Sequence, residues 1–233
     1  MKRFQLATIF IAAYSLSTLA LAGSVSVLVL DKEGKPVADA VVVVQPAAKA
    51  ATARALPMQA TILQEKMRFV PAVTVVPLGA KVRFENADPW DHHVRASAAG
   101  AAQFAAAGNT SGGFELRLEG KPDNKPAKFA EVTLDKPGVL GASLLGCFLH
   151  GSMRGHIYVS DSPWAAKTGA DGMAQFDDVP DGAAQVKVWQ ADQLIDLPPQ
   201  QATVSATPLK LRAQLQVVPR RPRAAPTSGG YSG

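Results

Sequence analysis

The chain has 233 residues, 47% of them hydrophobic and 18% charged, with a formal net charge of +5. Its lysines and arginines are scattered, and the one basic cluster (Arg220, Arg221 and Arg223) lies in a Pro-rich tail, so the charge excludes a nucleic-acid footprint. The single cysteine excludes a disulfide within the chain.

The first predicted element is a signal peptide over residues 1–22. Lys2 and Arg3 precede an apolar run without acids, and Ala20-Leu21-Ala22 supplies an A-x-A cleavage site before Gly23. An uncleaved anchor is the alternative, because Phe4 to Ala22 approaches spanning length. No cysteine stands at the cleavage point to carry a lipid, and no stable membrane association is expected after cleavage. Removing the segment takes two of the 24 basic residues and none of the 19 acids, leaving +3. The remaining 211 residues suit one large or two small domains.

From residue 23 onward, short apolar and β-branched runs alternate with Gly, Pro and Asp, and no stretch has helical spacing, so an all-β fold is expected. SVSVLVL (24–30) alternates as a strand does, DKEGKP (31–36) is a turn, and ADAVVVVQP (38–46) is a second strand ended by proline. An Ala-rich stretch from Ala47 to Pro57 is a linker or a short helix. Residues 67–97 predict strand, turn at Pro77-Leu78-Gly79, strand, turn around Asn86 to Trp90, strand. Residues 98–113 are a low-complexity insertion. FELRLEG (114–120), residues 127–145 with a turn at Asp135 to Gly138, and GHIYVS (155–160) supply further strands. After Ser162-Pro163 the pattern resumes over 172–190 and 208–218. Residues 219–233 lack the apolar content to bury anything and are expected to be disordered.

The chemistry concentrates in GCFLHGSM (146–153). Cys147 is a spare thiol, a partner for another chain or a metal ligand; a buried cysteine is also often only a small hydrophobe. A soft thiolate, two imidazoles and a weak thioether form the ligand set of a blue-copper site, and Cys147, His150 and Met153 supply three of the four. In a tight turn, residues three apart can face one centre. The thioether favours copper over zinc. Among the other histidines, His92 shares a strand face with Val94 and Ala96, while His93 shares one with Arg95, so His92 is the inward candidate. His156 alternates with Ile157 and Val159 and is expected to point outward.

On these residues, the chain from about 59 to 160 resembles a cupredoxin of the plastocyanin and amicyanin type. FVPAVTVVPLGAKVRFENAD is similar to the family's strands, HHV stands where its first ligand histidine does, and CFLHGSM is similar to the short amicyanin-type ligand loop. The resemblance implies His92, Cys147, His150 and Met153 as ligands of one type 1 copper ion. Two departures stand out: His93 replaces the asparagine that usually follows the first ligand, and Gly151 replaces a proline. Gly151 is expected to return a backbone N–H that donates to the thiolate or its surroundings.

The ends resemble halves of another fold. SVSVLVLDKEGKPVADAVVVVQP is similar to the opening of a carboxypeptidase-regulatory-like (transthyretin-like) β-sandwich, and TGADGMAQFDDVPDGAAQVKVW (168–189) to its later half. The expected organisation is therefore a signal peptide (1–22), a first part of the regulatory-like sandwich (23–50), a Greek-key cupredoxin (55–162), a second part of the sandwich (163–218) and a tail (219–233). The same order resembles the plastocyanin-like proteins of methylamine utilisation in Gram-negative bacteria. It implies a periplasmic one-electron carrier with redox partner proteins. A copper storage, delivery or partner-docking module is the alternative. Four histidines are too few for the extra metal centre of an oxidase or nitrite reductase, so the chain is expected not to be an enzyme.

Overall fold

A computed structural model describes residues 22–48, 55–99, 113–136 and 139–220. Residues 1–21 of the expected signal peptide, the middle of the Ala-rich stretch, most of the expected insertion and nearly all of the expected tail lie outside these residues. Every regular element among the described residues is a strand, as expected, and none of their helices could cross a membrane because there are none.

The first two strands are β1 (Ala22–Leu30) and β2 (Val41–Pro46). Next come β3 (Gln59–Glu65), β4 (Arg68–Val70), β5 (Val73–Pro77), β6 (Lys81–Asn86), β7 (His92–Ala98), β8 (Phe114–Leu118), β9 (Lys128–Thr133), β10 (Gly141–Cys147) and β11 (Arg154–Ser160). The last five are β12 (Trp164–Lys167), β13 (Met173–Pro180), β14 (Gly182–Trp189), β15 (Gln200–Val204) and β16 (Leu209–Gln214).

The middle nine strands form two sheets, in the orders β5-β11-β10-β7-β8 and β4-β3-β6-β9. Their inner faces enclose one core, with Ile62, Phe84, Val94, Leu145, Cys147, Met153 and Ile157 among its buried residues. The outer strands form the orders β13-β1-β16 and β12-β2-β14-β15, so β1 and β2 share sheets with strands more than a hundred residues later. A second core, built on Val25, Val27, Val42, Val44, Phe176 and Val186, lies between those two sheets.

The valine run of β2 has a physical cause. Val42 and Val44 face the second core, while Val41 and Val43 face a third cluster with Val73 and Trp189. A strand buried on both faces loses hydrophobic alternation, whereas β1, with one face partly open, keeps it. Burying one such valine contributes about 1.5–3 kcal/mol. The third cluster joins the outer face of β5, β10 and β11 to the outer face of β2 and β14.

His156 lies in this junction. Its face is the one predicted, opposite Ile157 and Val159, but neighbouring β-structure covers it in place of water. Its ring sits edge-on to Trp189 at 5.2 Å between centroids. Burial pushes its pKa down to about 4, with Arg154 adding to the shift and Asp192 opposing it.

Candidate metal centre

His92 opens β7 on its inward face and is fully buried. The five-residue loop before it is fastened at several points. The buried Asn86 amide donates to the carbonyls of Trp90 (2.9 Å) and Glu119 (3.0 Å), and its Oδ1 accepts the Asp88 N–H at 2.9 Å. Asp91 accepts the Gly120 N–H at 2.9 Å and pairs with Arg117, whose guanidinium holds the Asp91 carboxyl below its usual range. Gly120 is required here: a Cβ would stand 2.2 Å from the Pro89 carbonyl oxygen.

Asp88 connects this loop to a turn. Lys66 and Met67, between β3 and β4, both have positive φ (51° and 57°). Their successive N–H groups converge on the buried Asp88 carboxylate, at 2.6 Å on Oδ1 and 2.9 Å on Oδ2. The same Oδ2 faces His92 Nε2 at 2.9 Å. A carboxylate can only accept, so Nε2 carries the proton and Nδ1 keeps a lone pair.

That lone pair points at the ligand loop. Cys147 ends β10 on its inward face, paired across the sheet with Val94. His92 Nδ1 is 3.7 Å from Cys147 Sγ and 3.1 Å from His150 Nδ1, and His150 Nδ1 is 3.6 Å from Sγ. The three donor atoms are the one His, Cys and carboxylate cluster of metal-binding geometry among the described residues. A point equidistant from all three lies about 2.0 Å from each, the length of a bond between imidazole nitrogen and a first-row metal. Burial lowers the pKa of His150, while Asp88 opposes the shift, which favours the neutral ring that can ligate.

Met153 is buried in the same core as Cys147, and its N–H donates to the His150 carbonyl at 2.9 Å, closing the turn. The N–H that reaches the sulfur belongs to His93, at 3.4 Å, whereas the expected donor to the thiolate or its surroundings was the Gly151 N–H. A backbone donor does not depend on side-chain type, so histidine in place of asparagine leaves this bond intact. The His93 side chain turns away, pairing with Glu115 at 2.7 Å. Phe148 and Leu149, which precede the partly buried His150, are 59% and 58% exposed, and Trp90 in the loop before His92 is 44% exposed.

Strand parity pointed to His92, and the loop spacing to Cys147 and His150; the fold brings these three side chains together. Sequence reasoning missed Asn86, Asp88, Asp91 and Gly120. The spacing of Asp88 and His92 was visible, but only closure of the loop makes it a contact.

No family model and no curated protein sequence matches the chain. Among solved structures it is similar to a Cu(I) amicyanin variant, at 22% identity over 44% of this chain and 82% of that one, with a TM-score of 0.30. It is also similar to a purple cupredoxin from Nitrosopumilus maritimus (17% identity, 43% and 99% covered, TM-score 0.29). A third is a copper-containing nitrite reductase from Thermus scotoductus (24% identity, 50% and 25% covered, TM-score 0.32). The last of these corrects the expectation that the chain is not an enzyme. An enzyme stands among the similar structures, and a fold shared by carriers and enzymes does not decide between them, so a histidine count is no ground for exclusion.

Proposed function

We propose that the protein binds one type 1 copper ion through His92, Cys147, His150 and Met153 and passes single electrons to and from partner proteins. The observation that carries this reading is the convergence of His92 Nδ1, Cys147 Sγ and His150 Nδ1 on a common point in a buried pocket. A thiolate with two imidazoles and a thioether is a copper donor set. When bound, copper supplies one-electron chemistry between its two common oxidation states.

The chain's own residues keep the ligands in one arrangement. Asp88 fixes the His92 tautomer, the His93 N–H supports the sulfur, and the Asn86 and Asp91 hydrogen bonds hold the loop beneath His92. His150, at the edge of the apolar surface made by Phe148 and Leu149, is the point of electron exit and entry.

The signal-peptide reading of residues 1–22 supports a periplasmic location in a Gram-negative bacterium. The family reading is the methylamine-utilisation-like group, with the outer strands as a regulatory-like sandwich that spaces or docks the carrier. Domain limits at residues 55–162 for the carrier, flanked by 23–50 and 163–218, follow from it.

The test is an absorption and EPR spectrum of the copper-loaded protein beside Cys147→Ser. The parent should show intense visible thiolate-to-copper absorption, and the variant should lose it. A variant of the same colour would show that the site is assigned wrongly. A parent that holds only colourless Cu(I) would favour copper delivery.

A further inference from the structure

Among the described residues, the outer face of the five-stranded sheet is covered at one end only. Val73, Val75, Ala142 and Tyr158 pack against the neighbouring sandwich. At the other end, next to Cys147, Gly146 is paired with Arg95 of β7 on one side and Arg154 of β11 on the other. Directly paired residues present their side chains on the same face, so two exposed arginines flank a position that has no side chain. A Cβ built on Gly146 meets nothing within 4 Å, so this gap is open.

Among the described residues, no carboxylate takes up these cations. Neither Arg95 nor Arg154 forms an ion pair among the described residues, and all 19 acids belong to those residues. Glu115, the cross-strand partner of Arg95, gives its carboxylate to His93. Asp192, which acts on His156 from the neighbouring sandwich, is bound by Arg220 at 2.6 Å. Arg95 lies over the exposed Phe148 ring, 5.2 Å from its centroid, which joins the cationic strip to the apolar surface around His150.

We propose that this strip docks an acidic electron-transfer protein, whose carboxylates sit between Arg95 and Arg154 over Gly146. The inference rests on the electron-carrier reading and adds the partner's charge and its landing place. Two exposed cations with an open position between them match a pair of surface carboxylates, and the bordering Phe148 accepts an apolar contact. A partner held there lies one peptide unit from Cys147.

The experiment uses the redox-inert trianion hexacyanochromate(III) as a paramagnetic probe of the 15N-labelled full chain, together with a short polyglutamate peptide. The amides of Arg95, Gly146, Phe148 and Arg154 should broaden with the first and shift with the second. Both effects should be lost in Arg95→Gln/Arg154→Gln and kept in Lys32→Gln/Lys210→Gln, which removes the same charge elsewhere. Broadening that survives in the arginine variant, or polyglutamate that leaves these amides unmoved, overturns the proposal. In a second arm, ferricyanide takes one electron from the Cu(I)-loaded protein and becomes ferrocyanide. The arginine variant should react about tenfold more slowly, with its visible spectrum unchanged. An unchanged rate also overturns the proposal. Absence of the thiolate-to-copper band from the parent would instead refute the carrier reading, and the metal-free NMR arm decides the anion site by itself.

Discussion

Asp88→Asn is nearly isosteric, yet the geometry predicts that it harms both stability and metal binding. In the parent, Oδ1 accepts one N–H, from Lys66, and Oδ2 accepts two groups, Met67 N–H and His92 Nε2–H. An asparagine retains one acceptor and replaces the other with NH2. In one orientation the NH2 opposes Lys66 N–H; in the other it opposes Met67 N–H and the histidine. One or two donors thus lose their acceptor, at about 1–3 kcal/mol each, so the cost is about 1–3 kcal/mol in the first orientation and about 2–6 kcal/mol in the second. The histidine can escape by carrying its proton on Nδ1, but that removes the lone pair directed at the Cys147 and His150 donors. Metal affinity should therefore fall by about 10–100-fold. Denaturant unfolding of the metal-free protein reads the first effect, and competition with a chelator of known affinity reads the second. A variant within about 0.5 kcal/mol of the parent, the scatter of ordinary surface changes, and with unaltered affinity would refute this account of Asp88.

The other predictions concern the junction and the loop. A histidine whose folded-state pKa is about 4 binds its proton later than it does in the unfolded chain, so stability should fall as pH drops from about 6.5 and level off near 4. The loss is about 3 kcal/mol. NMR titration of His156 checks this, with His156→Phe expected to flatten the slope; titration near the ordinary value would refute it. Trp189→Ala should cost about 3–5 kcal/mol in denaturant melts and raise the His156 pKa by opening its ring to water. Gly120→Ala would place a Cβ 2.2 Å from the Pro89 carbonyl oxygen, which no side-chain movement relieves. It should lower the melting temperature and weaken metal binding, because the loop that displaces is the one leading into His92.

The sequence displayed what depends on periodicity. Alternation in β1 and the inward parity of His92 are properties of a strand alone, and both survive folding. The strands β3 (QATILQE), β12 (WAAK) and β15 (QQATV) escaped notice because they are short or polar. They are held by neighbours: β3 by a parallel partner, β6, and β15 by pairing with β14. Pro71 also divides one expected strand into β4 and β5, which belong to different sheets. Parity gave the face of His156 without giving what lies against that face, because a covering sheet from a distant part of the chain leaves no local trace. The valine run of β2 was the nearest trace available, since only burial on both faces explains it.

The junction has a consequence for access to the metal centre. Val73, Val75, Ala142 and Tyr158 are covered by the neighbouring sandwich, and Leu145 and Ile157 face the inner core. Along β10 and β11 this leaves the end next to the ligand loop uncovered among the described residues, where Gly146 pairs with Arg154 and where Phe148 and Leu149 of the following loop are exposed. On the proposed carrier function, the surface around the partly buried His150 and the Gly146 strip are two routes of approach. These routes adjoin, because Arg95 touches both the strip and the Phe148 ring. A charge change at Arg95 should therefore alter exchange by either route, whereas one at Arg154, on the far side of Gly146, should act through the strip.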